Sequence, residues 1–187
     1  MKFHYMGKYS GDPGTLPGRE HAPGAVPFKE PKDSGTLGMV ATGIALALLV
    51  VTGGIYFWRS GGAWSSGAFF LYLLSMVPHE LLHALCFRED VYMYHNLKQG
   101  MLFVVGPEDM SKGHFVFMSM LPNIVFGFIP FTLFLVKPEL RLLGIFGFLS
   151  IASGAGDYLN VYNALTQMPK GSRTYLHEFH SYWYLPE

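Results

Sequence analysis

The chain is poor in charge and holds a single cysteine. Only 14% of its 187 residues are charged, against about 25% in an ordinary soluble domain. Cys86 alone excludes an internal disulfide framework and a four-cysteine zinc site. The formal net charge is zero. No basic aromatic patch or nucleic-acid-binding motif occurs, so nucleic acid is not expected as a partner. A cleavable signal peptide is not expected either, because residues 1–36 are polar and rich in Gly and Pro. No internal repeat is present.

What the chain has instead is apolar surface. Half of it is hydrophobic and 16% is aromatic. The apolar residues gather in four segments, at about 37–58, 63–87, 115–136 and 141–165, each near the ~20 residues a membrane span requires. The composition therefore predicts an all-α membrane protein with the lipid bilayer as its solvent. The expected fold is a bundle of about four transmembrane helices. A short β-hairpin-like loop lies between the second and third, where Val91, Met93 and Met101 to Val105 flank a break at Asn96 to Gly100. Residues 1–36 read as a flexible Gly/Pro-rich N-terminal tail. Residues 37–187 read as the membrane-embedded domain, ending in a C-terminal tail.

Charge sets the expected orientation. The N-tail, the 88–114 loop and the C-tail hold Lys2, Lys8, Arg19, Lys29, Lys32, Arg88, Lys98, Lys112, Lys170 and Arg173. The opposite side holds only Arg59, Lys137 and Arg141. The positive-inside rule places both termini in the cytoplasm of a multi-pass cell-membrane protein.

Within the second apolar segment, His79-Glu80-Leu81-Leu82-His83 spells HExxH. On a helix His79 and His83 share one face, so both imidazoles reach a single Zn2+. Glu80 beside them is placed to take a proton from a water. A catalytic zinc keeps three protein ligands. Asp157 is the candidate third, as the carboxylate inside the last two spans, and such a group in hydrocarbon needs a partner. His79, Asn123 and Asp157 each lie about eight residues from the same end of their segments. At 1.5 Å per residue that is a common depth of roughly 12 Å. The small residues Ser153 to Gly156 let another helix pack against Asp157. Asn123, beside Pro122, is a catalytic candidate for holding the substrate backbone or an oxyanion. Hydrogen bonding between helices is the other reading of it. His95, His114, His177 and His180 are further possible ligands outside the spans. The metzincin extension is absent, because Cys86 and Glu89 stand at its glycine and third histidine. A di-iron bundle needs a second ExxH, which the chain lacks.

Three elements together carry a resemblance: HELLH late in one apolar segment, Leu121-Pro122-Asn123 in the next, and Ser153-Gly154-Ala155-Gly156-Asp157 in the last. With Met168-Pro169-Lys170 and Tyr182-Trp183-Tyr184, they resemble the small multi-spanning bacterial family described as putative zincin peptidases, over roughly residues 60–187. The arrangement is also similar to site-2 proteases, zinc-dependent intramembrane endopeptidases. That resemblance implies zinc on His79, His83 and Asp157, with Glu80 as general base and acid. It also implies a membrane-protein substrate. Site-2 proteases carry their aspartate before a glycine, whereas here Gly156 precedes Asp157 and Tyr158 follows. No segment suits a PDZ-type domain. The expected function is an intramembrane zinc metalloprotease. The alternative is a non-proteolytic metal-binding or partner-binding membrane protein.

Overall fold

The structure is a computed structural model that describes residues 1–31, 33–97 and 100–186. Lys32 and Lys98, two of the charges that set the expected orientation, lie outside the described residues, as does Gln99 in the tip of the expected hairpin.

Helix α1 (Ser34–Ser60) opens on Asp33, whose carboxylate accepts the Thr36 N–H at 2.7 Å. It closes on Gly61 at φ 66°, a left-handed conformation that only glycine adopts cheaply. Helix α2 (Ser66–Ala84) runs unbroken through Pro78. Helix α3 (Lys112–Pro122) passes through a π-helical turn (Asn123–Phe128) into α4 (Ile129–Val136). Helices α5 (Arg141–Ser153) and α6 (Ala155–Gln167) meet at Gly154 with a bend of 53°. α5 is the central element and touches α1, α2, α4 and the π turn. Its glycines make this possible: a Cβ at Gly147 would stand 2.6 Å from the Phe131 backbone nitrogen. Around them Tyr56, Phe131, Phe134, Ile145 and Phe148 form the apolar core.

Two sheets cap one end of the helices. The first is ordered β1-β3-β4, with β1 (Phe3–Lys8) parallel to β3 (Val91–Asn96) and β3 antiparallel to β4 (Met101–Val105). The second is antiparallel and ordered β2-β7-β6-β5, from Val26–Pro27, His180–Tyr184, Arg173–His177 and Met110–Ser111. Tyr9, Leu16, Tyr94 and Val105 bury a small core under the first sheet, with Phe103 and Phe179 against it. Asp109 clamps the second. It accepts from Arg173 Nε at 2.7 Å and from the Tyr184 hydroxyl, and Arg19 lies 3.5 Å away. The neighbouring Arg173 guanidinium holds the Asp109 carboxyl below its usual range.

The expectation of an all-α bundle is therefore corrected: the fold is mixed α/β. The helices explain the apolar segments, but the segments on either side of them pair. Strand β1 comes from residues 1–36, whose composition suggests a flexible tail. Its partner β3 lies 88 residues away at the Phe3–Val91 pair. The expectation of about four spans is corrected as well. Among the described residues, two helical stretches are long and apolar enough to cross a membrane, Gly35–Ser60 and Lys112–Val136, and the bent α5–α6 pair would make a third. α2 has only 19 residues, and its second half carries His79, Glu80 and His83. These polar groups are what lower its apolar character.

Candidate metal centre

The HExxH residues occupy the last two turns of α2. The His79 and His83 rings stand 5.0 Å apart, and ligand atoms of His79, Glu80 and His83 all lie within 4.8 Å of one another. The i, i+4 spacing does this by itself, since successive turns of a helix present the same face.

α6 brings the third group. Asp157 sits astride both imidazoles, with Oδ2 3.3 Å from His79 Nε2 and Oδ1 3.3 Å from His83 Nε2. The His83 and Asp157 side chains are only 8% and 15% exposed, so the pairing is shielded from solvent. Gly154 makes the approach possible, because any Cβ there would collide with the Asn123 amide. Asn123 is wholly buried, and its Nδ2 donates to Asp157 Oδ2 at 2.7 Å and to the Ser119 carbonyl at 3.1 Å. Its Oδ1 has no partner among the described residues.

His83 Nδ1 lies 2.9 Å from the Met118 carbonyl oxygen. That contact is satisfied when Nδ1 carries the proton, which leaves the Nε2 lone pair directed at Asp157 and the shared centre. Glu80 stands beside the histidines, with the Val104 backbone close to its carboxylate. β4 is an edge strand that runs along α2. Glu80 and an open strand edge therefore meet.

The donor set suits zinc. Two imidazole nitrogens and a carboxylate converge from two helices, and second contacts fix one imidazole and the carboxylate. His79, Glu80, His83, Asn123 and Asp157 all come together here. The other candidate ligands stand elsewhere. His95 bonds the Tyr5 hydroxyl at 2.9 Å, His177 the Arg19 carbonyl at 3.1 Å, and His180 the Glu30 carboxylate at 3.3 Å. His114 lies in the first turn of α3, one residue after Gly113. Sequence reasoning missed the Met118 and Ser119 carbonyls and the Val104 backbone, because main-chain groups carry no residue type.

A model of the family described as putative zincin peptidase matches residues 72–173, more than half of the chain and all five residues of the site. Neither a curated protein nor a solved structure matches.

Proposed function

Because this chain belongs to the putative zincin peptidase family, we propose that it is a zinc metallopeptidase of site-2 type. In this reading its centre is set within the membrane and it cleaves membrane-associated proteins. The observation that carries the reading is the convergence of His79, His83 and Asp157 from α2 and α6, with Glu80 beside them. Apolar helices surround it. Gly35–Ser60 is bare along most of its length, which suits contact with lipid.

His79, His83 and Asp157 hold the metal. Zinc, when bound, supplies Lewis-acid activation of a water and of the scissile carbonyl. Glu80 takes the proton of the attacking water and delivers it to the leaving amine. Asn123 has both amide hydrogens engaged, so it serves Asp157 rather than the substrate. A helical substrate hides its carbonyls in its own hydrogen bonds and must unwind before cleavage. The open edge of β4 offers main-chain partners for the unwound segment, beside Glu80. The excess of lysine and arginine on the sheet-bearing end supports a cytoplasmic position for that end and both termini.

Metal content of the detergent-purified protein, wild type beside Asp157→Ala, is the direct test. About one zinc per chain is expected in the wild type, with loss in the variant. A well-folded wild type that holds no zinc ends the peptidase reading. Zinc retained by Asp157→Ala moves the third ligand elsewhere.

A further inference from the structure

The π turn in the third apolar segment begins where a helical ladder comes apart, and both released carbonyls are in use. In an α-helix each carbonyl accepts the N–H four residues on. For Met118 that residue is Pro122, which has no N–H. The Met118 carbonyl is left without its helical donor in an apolar interior, where an unpaired carbonyl is costly. The donor that reaches it belongs to another helix: His83 Nδ1, at 2.9 Å. The next carbonyl, Ser119, would accept the Asn123 N–H. That N–H turns instead to Met120 as the chain enters the π turn. Ser119 then accepts Asn123 Nδ2 at 3.1 Å, and the same amide nitrogen donates to Asp157 at 2.7 Å. Two consecutive carbonyls, freed for two different reasons, thus hold His83 directly and Asp157 through the Asn123 amide.

We infer that Pro122 and Asn123 form a positioning device for the metal site: Pro122 presents the Met118 carbonyl that orients His83, and Asn123 orients Asp157. The inference rests on the reading that His83 and Asp157 bind a metal. Neither positioning residue touches metal or substrate. Pro122 acts by withholding a donor. The His83 ring is held with Nδ1–H toward α3 and Nε2 toward Asp157 before any metal arrives. Asn123 has only two amide hydrogens, and both are used, so its orientation is fixed as well. Its Oδ1 is turned toward Gly154, the position on α5–α6 that lacks a side chain to clash with it.

Pro122→Ala is the test, in the full chain. It restores an N–H that draws the Met118 carbonyl back into the helix, and alanine is well tolerated in a helix interior. Zn2+ affinity, measured by chelator competition, is expected to fall about ten- to a hundredfold, the usual effect of losing a ligand's outer partner. Pro130→Ala in α4 is the control. It also restores an N–H, but the carbonyl four residues back, Phe126, meets no metal-site side chain among the described residues, so Zn2+ affinity is expected to hold. The metal-free readout is the 15N-histidine NMR spectrum, in which the hydrogen-bonded His83 Nδ1–H proton is expected to move upfield in Pro122→Ala and not in Pro130→Ala. Equal affinity and an unmoved His83 proton in Pro122→Ala overturn the inference while leaving the peptidase reading intact. A wild type without Zn2+ affinity overturns that reading, and the device with it as a metal-positioning one; the proton shift then reports only whether the carbonyl contact exists.

Discussion

In the proposed reading Glu80 is the residue on which hydrolysis turns, and it is separable from metal binding because the metal donors proposed are His79, His83 and Asp157. Glu80→Gln keeps size and shape but removes the base. Peptide hydrolysis is expected to fall about 10²–10⁴-fold, the range for losing a positioned general base, with zinc content unchanged. Cleavage of a reconstituted membrane substrate, read beside metal analysis, checks both halves; full cleavage by Glu80→Gln would take the general-base role away from Glu80. At this scale the site was largely legible. HExxH carries its own geometry through the helical repeat, and Asp157 stood out because a carboxylate in an apolar run needs a partner. Asn123 showed two roles, contact with substrate or an oxyanion and hydrogen bonding between helices, and the sequence could not choose between them, since a buried amide donates to whatever lies in reach. The Gly154 contact and the Asp157 hydrogen bond, which decide what it does, depend on how two distant helices pack.

The strand β4 carries the next prediction because it lies on an open edge beside the base. Val104 lies on β4 with its backbone beside Glu80. Proline at that position removes the main-chain donor next to Glu80. Val104→Pro is expected to abolish most cleavage of an extended substrate while zinc binding and the sheet survive. A variant that still cleaves normally would show that substrate does not add to this edge. The helices themselves were legible from apolar content, because a run of that length leaves the backbone few other ways to satisfy itself in lipid. The breaks within them were not. Pro122 marks a missing donor in the ladder but does not by itself specify a π turn, and the bend at Gly154 is seated against Asn123, a contact between distant segments. The strands fared worse. Only the β3–β4 hairpin showed itself, because its two halves are close in sequence. β1 pairs with β3 across helices α1 and α2, and nothing local to Phe3–Lys8 announces its partner.

Taken whole, the molecule is a set of helices whose three connecting segments are sewn together at one end. Glu30 is one of the stitches. It accepts from the Ser181 N–H at 3.3 Å, lies 3.3 Å from His180 Nδ1, and is 3.4 Å from Asn163 on α6. Its side chain is only 9% exposed, and burial pushes its carboxyl above the ordinary value of 4.5. A carboxyl with a raised folded pKa binds more protons folded than unfolded, so stability falls as pH rises above 4.5 toward the folded value. Glu30→Gln removes that slope. Its thermal midpoint is expected to gain on the wild type between pH 4.5 and pH 7, and a constant difference across that range would show that Glu30 ionises in the fold as freely as in the unfolded chain. In the membrane reading proposed above, the same stitching bears on sidedness. β1 ties the N-terminal segment to the 88–111 loop through β3, and β5, β6 and β7 tie that loop to the C-terminal segment. Because β1 pairs with β3, the α1–α2 pair begins and ends at the sheet-bearing end. Because β5 pairs with β6, the segment from α3 to α6 does the same. Residues 61–65 and the turn at Lys137–Glu139 then share the far side. With Cys86 the sole cysteine, a Cys86→Ser background gives clean single-cysteine reporters. Cysteines at Lys8 and Lys170 are expected to react with a membrane-impermeant maleimide only from the cytoplasmic face, and one at Gly62 only from the opposite face. Labelling of Lys8 and Lys170 positions from opposite faces is incompatible with both sheets at once. Labelling of all three from the same face leaves the sheets intact but removes α1 and α2 from the bilayer, and the centre they carry would then work at the membrane surface rather than within it.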